Sequence, residues 1–205
     1  MKKLLCLVLG CALLCASFGA LGEVAPTEAP TVVRGVKWGM TAEEIVALEG
    51  REPDFRETNS DGSIWLVFEN VTAGGLPASV GYELNEAGTC CFISYTFDDV
   101  DTEDYNVYIE DYKNLENALV IKYGQPVLDA EGWYDSAYRE NPVLQGLAVA
   151  KGDLVYQTNF KTENTRIALV LWGYALGEDS YYMDMSLAYV ETTIPPRTIV
   201  LDDTL

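Results

Sequence analysis

The segment Ile167-Ala168-Leu169-Val170-Leu171-Trp172 is apolar at every position, which is the pattern expected of a β-strand that is covered on both faces. In the next segment, 181–189, apolar residues alternate with polar or small ones. The apolar set is Met183, Met185, Leu187 and Tyr189. This period of two predicts a strand with one buried face. Together the two segments indicate an antiparallel sheet with a packed core.

Six further segments are predicted as strands from their β-branched, aromatic and alternating residues. They are 63–69, 78–84, 90–97, 132–138, 147–150 and 154–160. The loop Asn85-Glu86-Ala87-Gly88 predicts a hairpin between the second and third of them, and Lys151-Gly152-Asp153 and residues 161–165 supply later turns.

A first helix is predicted at Thr41-Ala42-Glu43-Glu44, where a threonine followed three residues later by a glutamate forms a capping box. Ile45 and Leu48 are three residues apart and so share one face of this helix. Gly50 followed by Pro53 ends the helix.

A second, longer helix is predicted to begin after Asp101 or Thr102 and to end at Gly124, before Pro126. Its apolar face has three-to-four spacing and comprises Tyr105, Tyr108, Tyr112, Leu115, Leu119 and Tyr123. The predicted fold class is therefore α+β, with an antiparallel sheet and two helices packed on it.

The order helix, strands, helix, strands suggests two tandem repeats, residues 32–100 and 101–191. Both helices leave through a glycine and then a proline, at Gly50 with Pro53 and at Gly124 with Pro126. Glycine and proline also end unrelated helices, so a duplication and a chance similarity are both open interpretations.

The N-terminus has the pattern of an export signal. Met1-Lys2-Lys3 is basic, residues 4–22 are uncharged and largely apolar, and small residues precede Glu23, which predicts a signal peptide over residues 1–22 cleaved after Gly22. Two alternatives are lipidation at Cys11 within Val8-Leu9-Gly10-Cys11, and retention of the apolar segment as a membrane anchor.

Residues 23–31 carry two prolines and two threonines and predict a linker, and Pro195-Pro196 marks a C-terminal tail, residues 192–205. The intervening residues 32–191 suit a single α+β domain. We therefore predict an exported protein of the extracellular space or the cell envelope, with any membrane contact made only through an N-terminal anchor or lipid.

The composition is strongly acidic, with 32 acidic and 13 basic residues and a net charge of −19. Such a charge repels phosphate backbones, so we expect no nucleic-acid partner. With 49% hydrophobic residues, the chain has enough apolar surface to fold. The expected partner is a protein or glycan outside the cytoplasm, and cationic surfaces are favoured electrostatically.

The chain contains no histidine, which removes Ser-His-Asp and Cys-His catalysis and histidine-bearing zinc sites. Outside the export signal the cysteines are Cys90 and Cys91, which we expect to be two small core residues. We assign no catalytic, cofactor-binding or metal-binding residue.

Carboxylates are densest in residues 98–104. Asp99, Asp101, Glu103 and Glu110 have the spacing of oxygen ligands in a calcium loop, but Asp104 stands where such a loop needs glycine. The favoured interpretation is helix capping by Asp101 or Thr102, with Glu103 and Asp104 in the first turn of the second helix.

Aromatic residues offer a further class of site. Trp38, Trp65, Trp133 and Trp172 are candidates for a sugar-binding platform, because flat rings stack on the apolar faces of sugars, although such rings are more often core. An acidic chain also offers many carboxylate pairs of the kind that glycosidases use.

The segment Gly39-Met40-Thr41, continued by Glu44-Ile45, Leu48, Gly50 and Pro53, resembles the opening of the small lipoproteins of outer-membrane protein assembly and the related β-lactamase-inhibitor-protein-like modules. The match covers about fifteen residues. It departs from their pattern by one extra residue before Pro53 and by the lack of a second Gly-Met-Thr. The resemblance implies a two-layer α+β fold and binding to other proteins.

These observations favour an exported, non-catalytic binding or envelope-interaction module. The alternative is a histidine-free, carboxylate-based glycan hydrolase.

Overall fold

The computed structural model describes residues 32–100, 102–135, 137–177 and 180–193. The predictions for the export signal, for Cys11 and Gly22, for the linker, for Asp101 and for the tail from Ile194 onward lie outside the described residues.

The described ranges contain three α-helices and eight strands. The helices are α1 (Ala42–Glu49), α2 (Asn106–Tyr123) and α3 (Gln145–Lys151), and a short 3-10 helix, Pro142–Leu144, leads into α3. The strands are β1 (Phe55–Thr58), β2 (Ile64–Ala73), β3 (Leu76–Leu84), β4 (Cys90–Phe97), β5 (Leu128–Trp133), β6 (Leu154–Lys161), β7 (Thr165–Ala175) and β8 (Tyr181–Glu191).

All eight strands form one antiparallel sheet in the order β1-β2-β3-β4-β8-β7-β6-β5. Strands β1 to β4 form one meander and β5 to β8 a second. The two meanders join where β4 pairs with β8, with Ser94 opposite Ala188 and Tyr95 opposite Leu187. The sheet is thus continuous from one edge, β1, to the other, β5.

The helices and one face of the sheet enclose a single hydrophobic core. Ile45 of α1, Tyr112 of α2 and Val149 of α3 are all fully buried in the same cluster as Leu169 of β7. The predicted α+β class with helices packed on an antiparallel sheet is confirmed, although the structure has a third helix. None of the helices in the described ranges has the length and hydropathy of a membrane span.

The predicted alternation along β8 is also confirmed. Met183, Met185, Leu187 and Tyr189 are each no more than 5% exposed, and the residues between them are half-buried. The predicted hairpin at Asn85 is present as well, because the backbone N–H of Asn85 donates to Thr89 and its side chain accepts from the N–H of Ala87.

Helix α1 begins with the predicted capping box. The backbone N–H of Glu44 donates to Thr41 Oγ1 at 3.4 Å, and the backbone N–H of Thr41 donates to Glu44 Oε2 at 2.8 Å. Both are amides that the helix itself leaves without a partner. The helix ends at Gly50, as predicted.

The predicted start of the second helix is wrong. Helix α2 begins at Asn106, its N-cap is Tyr105, and no side chain caps it. Glu103 and Asp104 precede the helix, and its first turn contains no acidic residue. Thr102 Oγ1 accepts instead from the N–H of Asp104, and Asp104 Oδ1 accepts from Asn106. These local turns hold the preceding backbone in a non-helical conformation, so the helix begins only at Asn106.

Two strand predictions also need correction. The apolar run 147–150 lies in helix α3, where Ala148, Val149 and Ala150 are fully buried, because a helix enclosed by neighbours is as apolar as a buried strand. Strand β5 ends at Trp133, so the segment predicted at 132–138 is largely not a strand. Sequence patterning also missed the edge strand β1, whose residues are all exposed.

The prediction that β7 is covered on both faces is wrong. Ile167, Leu169 and Leu171 are buried under the helices, but Trp172 on the opposite face is 38% exposed and Tyr174 is 42% exposed. The residues between the buried ones on β7 are half-buried or exposed.

A partly buried ion pair links Arg34, near the start of the described residues, to helix α1 and through it to the sheet. The Arg34 guanidinium donates to both carboxylate oxygens of Glu49, at 2.7 and 2.6 Å, and the Tyr82 hydroxyl donates to Glu49 Oε1 at 2.5 Å. The Glu49 side chain is only 2% exposed. Burial favours the neutral acid, but the two donors outweigh it and lower the pKa of Glu49.

Helix α3 approaches the sheet closely at Gly173 of β7. A Cβ atom at this position would lie 2.7 Å from the carbonyl oxygen of Val149 and 2.8 Å from that of Tyr182. Gly146 makes a similar close approach between α3 and the backbone at Tyr105. These close approaches are therefore possible only because Gly173 and Gly146 have no side chain.

We predict that Gly173→Ala lowers the free energy of unfolding by about 1–3 kcal/mol, because the added methyl forces backbone apart in a packed region. Urea unfolding followed by circular dichroism measures the change. The matched control is Gly132→Ala on edge strand β5, where the nearest atom would be 3.9 Å away. Equal stability of the two variants would contradict the close approach.

Candidate functional site

The sheet surface opposite the helices, here called the open face, is the candidate site. On β7 and β8 it carries the side chains that alternate with the buried ones, together with their neighbours in register on the other strands. These are Arg166, Ala168, Val170, Trp172 and Tyr174 on β7, and Tyr182, Asp184, Ser186, Ala188 and Val190 on β8. The buried residues of the helices in the described ranges belong to the core on the other face of the sheet.

The middle of the open face is built from small side chains. The register places Gly81 of β3, Ser94 of β4, Ala188 of β8 and Ala168 of β7 in one row across the sheet. The next row on one side is also small, and the next row on the other side is larger. They are Ser79, Thr96, Ser186 and Val170, and Glu83, Phe92, Val190 and Arg166, respectively. The centre of the face is therefore low, and the aromatic groups at its two ends project beyond it.

An aromatic ladder stands where β7 ends and β8 begins, starting two rows beyond Ala168 and Ala188. The rings of Trp172 and Tyr174 are stacked, with centroids 5.6 Å apart and an interplanar angle of 29°. Tyr182 lies opposite Tyr174 in register, with ring centroids 5.2 Å apart. Exposed rings held rigid on two neighbouring strands offer a large contact area that loses little conformational entropy on binding.

Asp184 lies beside the ladder, directly opposite Trp172 in the β7–β8 register. Its Oδ1 atom is shielded from solvent and accepts no hydrogen bond from the described residues. Burial is the main cause that raises the pKa of Asp184, and the negative charge of Asp99 raises it further, while the Trp172 indole partly offsets both. The carboxylate is therefore poorly compensated, which is uncommon away from functional sites.

The second aromatic group on the open face is Trp65 with Phe92, whose rings meet edge to face at 5.9 Å. The Trp65 indole lies over Gly81, where an added Cβ would come within 3.1 Å of it. This cover explains why Gly81 and Glu83 are buried although they belong to the face opposite the helices.

The four tryptophans proposed from the sequence do not form one platform. Trp38 packs against the core and its indole N–H donates to Thr165 Oγ1 at 3.0 Å. Trp133 lies on edge strand β5, with the Arg139 guanidinium 5.9 Å from its ring. Only Trp65 and Trp172 lie on the open face, in separate groups.

Two depressions in the described part of the chain bear on the site. One, of about 200 Å³, lies on the open face at its β6 end, where Val127, Lys161, Arg166 and Val190 contribute to its lining. The other, of about 30 Å³, lies between Asp98 and Asp111. The second volume is about that of one water molecule.

The residues of the predicted acidic cluster are dispersed among turns. Asp99 Oδ1 is 3.5 Å from the Tyr108 hydroxyl, Asp104 bonds to Asn106, and Asp101 lies outside the described residues. Within the described ranges, no three acidic or cysteine side chains are grouped as metal ligands.

Cys90 and Cys91 are both buried free thiols, as predicted. Burial raises the pKa of the Cys90 thiol to about 12, so the thiol is almost entirely protonated at neutral pH. This agrees with a role in packing.

Sequence reasoning missed Tyr174, Tyr182 and Asp184. The alternation along β8 contained the signal, because it placed Tyr182 and Asp184 on the face opposite Met183 and Met185. The signal was not recognised because β7 was predicted to be covered on both faces. A strand covered in this way would leave no exposed face on which Tyr182 and Asp184 could meet Trp172.

No family model, no curated protein and no solved structure matches this chain.

We predict that Asp184→Asn stabilises the protein at pH 7. A carboxyl whose folded-state pKa is raised binds its proton more tightly in the folded state, so its ionised form costs stability once the pH rises above that pKa. The cost is absent below the unfolded pKa of about 3.9. Urea unfolding from pH 7 down to pH 4 should therefore show an advantage for the variant that shrinks as the pH falls. A variant less stable than wild type at pH 7 would contradict this account.

Proposed function

We propose that this protein is an exported, non-catalytic binding module and that its open face receives the partner. The observation that carries the proposal is the ladder of Trp172, Tyr174 and Tyr182 beside the poorly compensated Asp184. A rigid sheet that presents aromatic side chains at this density has the composition of a protein-binding surface.

Export is supported by the basic start at Lys2 and Lys3 and by the uncharged residues 4–22 that follow. Under this proposal the mature chain begins at Glu23 and works outside the cytoplasm or in the cell envelope. Removal of the two lysines leaves it still more acidic, which also supports solubility without a partner.

We further propose that the domain arose by duplication of a helix followed by four strands. The support is the strand order, in which β1 to β4 and β5 to β8 are arranged symmetrically about the β4–β8 pair, each meander following a helix, α1 or α2. Helix α3 between β5 and β6 is an addition within the second half. This arrangement suits the β-lactamase-inhibitor-protein-like modules that Gly39-Met40-Thr41 resembles.

The hydrolase alternative receives less support. A glycosidase places two carboxyl groups about 5–10 Å apart with a sugar between them. Asp98 and Asp111 share a depression of about 30 Å³, which a sugar ring does not fit, although burial raises the pKa of Asp111. The open-face observations favour binding over hydrolysis.

We predict that the mature domain, immobilised, retains a specific protein or glycan from the producing cell's own envelope or medium, and that the variant Trp172→Ala, Tyr174→Ala loses it. Quantitative mass spectrometry compares the bound fractions. The matched control is Ile121→Ala, which removes an exposed side chain from α2 on the other side of the molecule. Retention that both variants share with wild type would contradict a role for the open face.

We also predict that intact mass spectrometry of the exported material gives a chain beginning at Glu23. Lipidation at Cys11 would instead add the mass of acyl chains to a longer chain. A soluble cytoplasmic product that still begins at Met1 would contradict export.

A further inference from the structure

The aromatic ladder stands in a negative electrostatic environment. Burial is the largest cause that raises the pKa of Tyr182 and of Asp184, and for both groups the charge of Asp99 adds to it. The charge of Asp99 therefore acts on both Tyr182 and Asp184. Since Asp184 Oδ1 is shielded from water, its charge is screened less than that of an exposed carboxylate.

Trp172 and Tyr174 leave part of their ring surface accessible. Trp172 and Tyr174 stack with 38% and 42% exposure, and the face of an aromatic ring carries the negative part of its quadrupole. A cation above such a face is attracted, most strongly by tryptophan. Ring faces and carboxylates therefore act in the same direction on a charged ligand.

The basic side chains that the register places on the open face lie at its other end. Arg166 is opposite Val190, and Lys161 is paired with Arg166. Arg166 is six residues from Trp172 along β7, which is about 20 Å in an extended strand. At that separation, beyond a Debye length of about 8 Å, neither cation compensates the charge at the ladder.

We propose that the Trp172–Tyr174–Tyr182 ladder binds a lysine or arginine side chain presented by a partner protein. This inference rests on the proposed function and specifies the chemistry of the partner. Charge complementarity supports it at two scales, because the local carboxylates are Asp99 and Asp184 and the whole chain has a net charge of −19.

A neutral glycan is the competing ligand for an aromatic platform. Sugars also stack on ring faces, but a neutral sugar gains nothing from the charge at Asp99 and Asp184 beyond ordinary hydrogen bonds. A negatively charged glycan is repelled. The observations therefore favour a cationic segment, and a glycan is an outcome that the test must detect.

The test uses isothermal titration calorimetry of the mature domain at fixed ionic strength with three probes. These are a lysine decapeptide, a serine decapeptide and cellohexaose. We expect binding of the lysine peptide only, weakened about three- to tenfold by Trp172→Leu, which keeps an apolar side chain but removes the indole face, and by a similar factor in Asp184→Asn.

Two control variants separate a specific site from general attraction to an acidic protein. Trp133→Leu removes an indole on edge strand β5, away from the open face, and Glu52→Gln removes one exposed charge elsewhere. Both should bind the lysine peptide as wild type does. Circular dichroism spectra and urea unfolding establish that each variant is folded before titration.

Equal weakening by the controls, or no weakening by Trp172→Leu and Asp184→Asn, would overturn the inference. Binding of cellohexaose without binding of the lysine peptide would overturn it in favour of a glycan. The capture experiment with Trp172→Ala, Tyr174→Ala is independent of both outcomes. Loss of the native partner in that experiment supports binding at the open face whatever the chemistry of the partner.

Discussion

The pairing of β4 with β8 is the contact on which the rest of the structure depends. Among the described residues it is the one place where the two meanders share backbone hydrogen bonds, and its register places Ile93 opposite Tyr189 and Ser94 opposite Ala188. A shift by one residue would turn every side chain of one meander to the other face. The core and the open face both exist because this register aligns the two halves.

The helices then cover only one side of the continuous sheet. Helix α3 reaches the sheet because Gly173 and Gly146 leave room for its backbone, and α2 is tied to β6 through Tyr112, whose hydroxyl is 2.7 Å from Thr158 Oγ1. Thr158 in turn donates to Glu116 at 2.7 Å, so that the polar groups buried between helix and sheet satisfy each other. On the other side of the sheet, no helix of the described ranges packs over the apolar and aromatic residues.

Asp184 illustrates how this one-sided arrangement relates to function. Its carboxylate is held among Trp172, Tyr182 and the charge of Asp99 at a cost to stability, whereas the buried Glu49 is fully compensated by Arg34 and Tyr82. A shielded carboxylate is thus an anchor at Glu49 and a poorly compensated charge at Asp184. Proteins commonly carry such destabilising groups where they bind ligands.

The sequence by itself determined the elements whose signals are local. The capping box at Thr41, the helix end at Gly124, the hairpin at Asn85 and the alternation along β8 each depend on residues within a few positions of one another. The absence of histidine and the strong negative charge likewise need no structure, and they limit the chemistry available to the chain.

Only the tertiary structure decided which apolar runs are covered, and by what. Residues 147–150 are a helix because α3 is enclosed by β7 and α2, and β7 has an open face because no helix packs there. The start of α2 was set by turns at Thr102 and Asp104 that compete with capping. Trp172, Tyr182 and Asp184 become one site only through the β7–β8 register, since ten or more residues separate Trp172 from the other two and periodicity within a strand does not specify its partner.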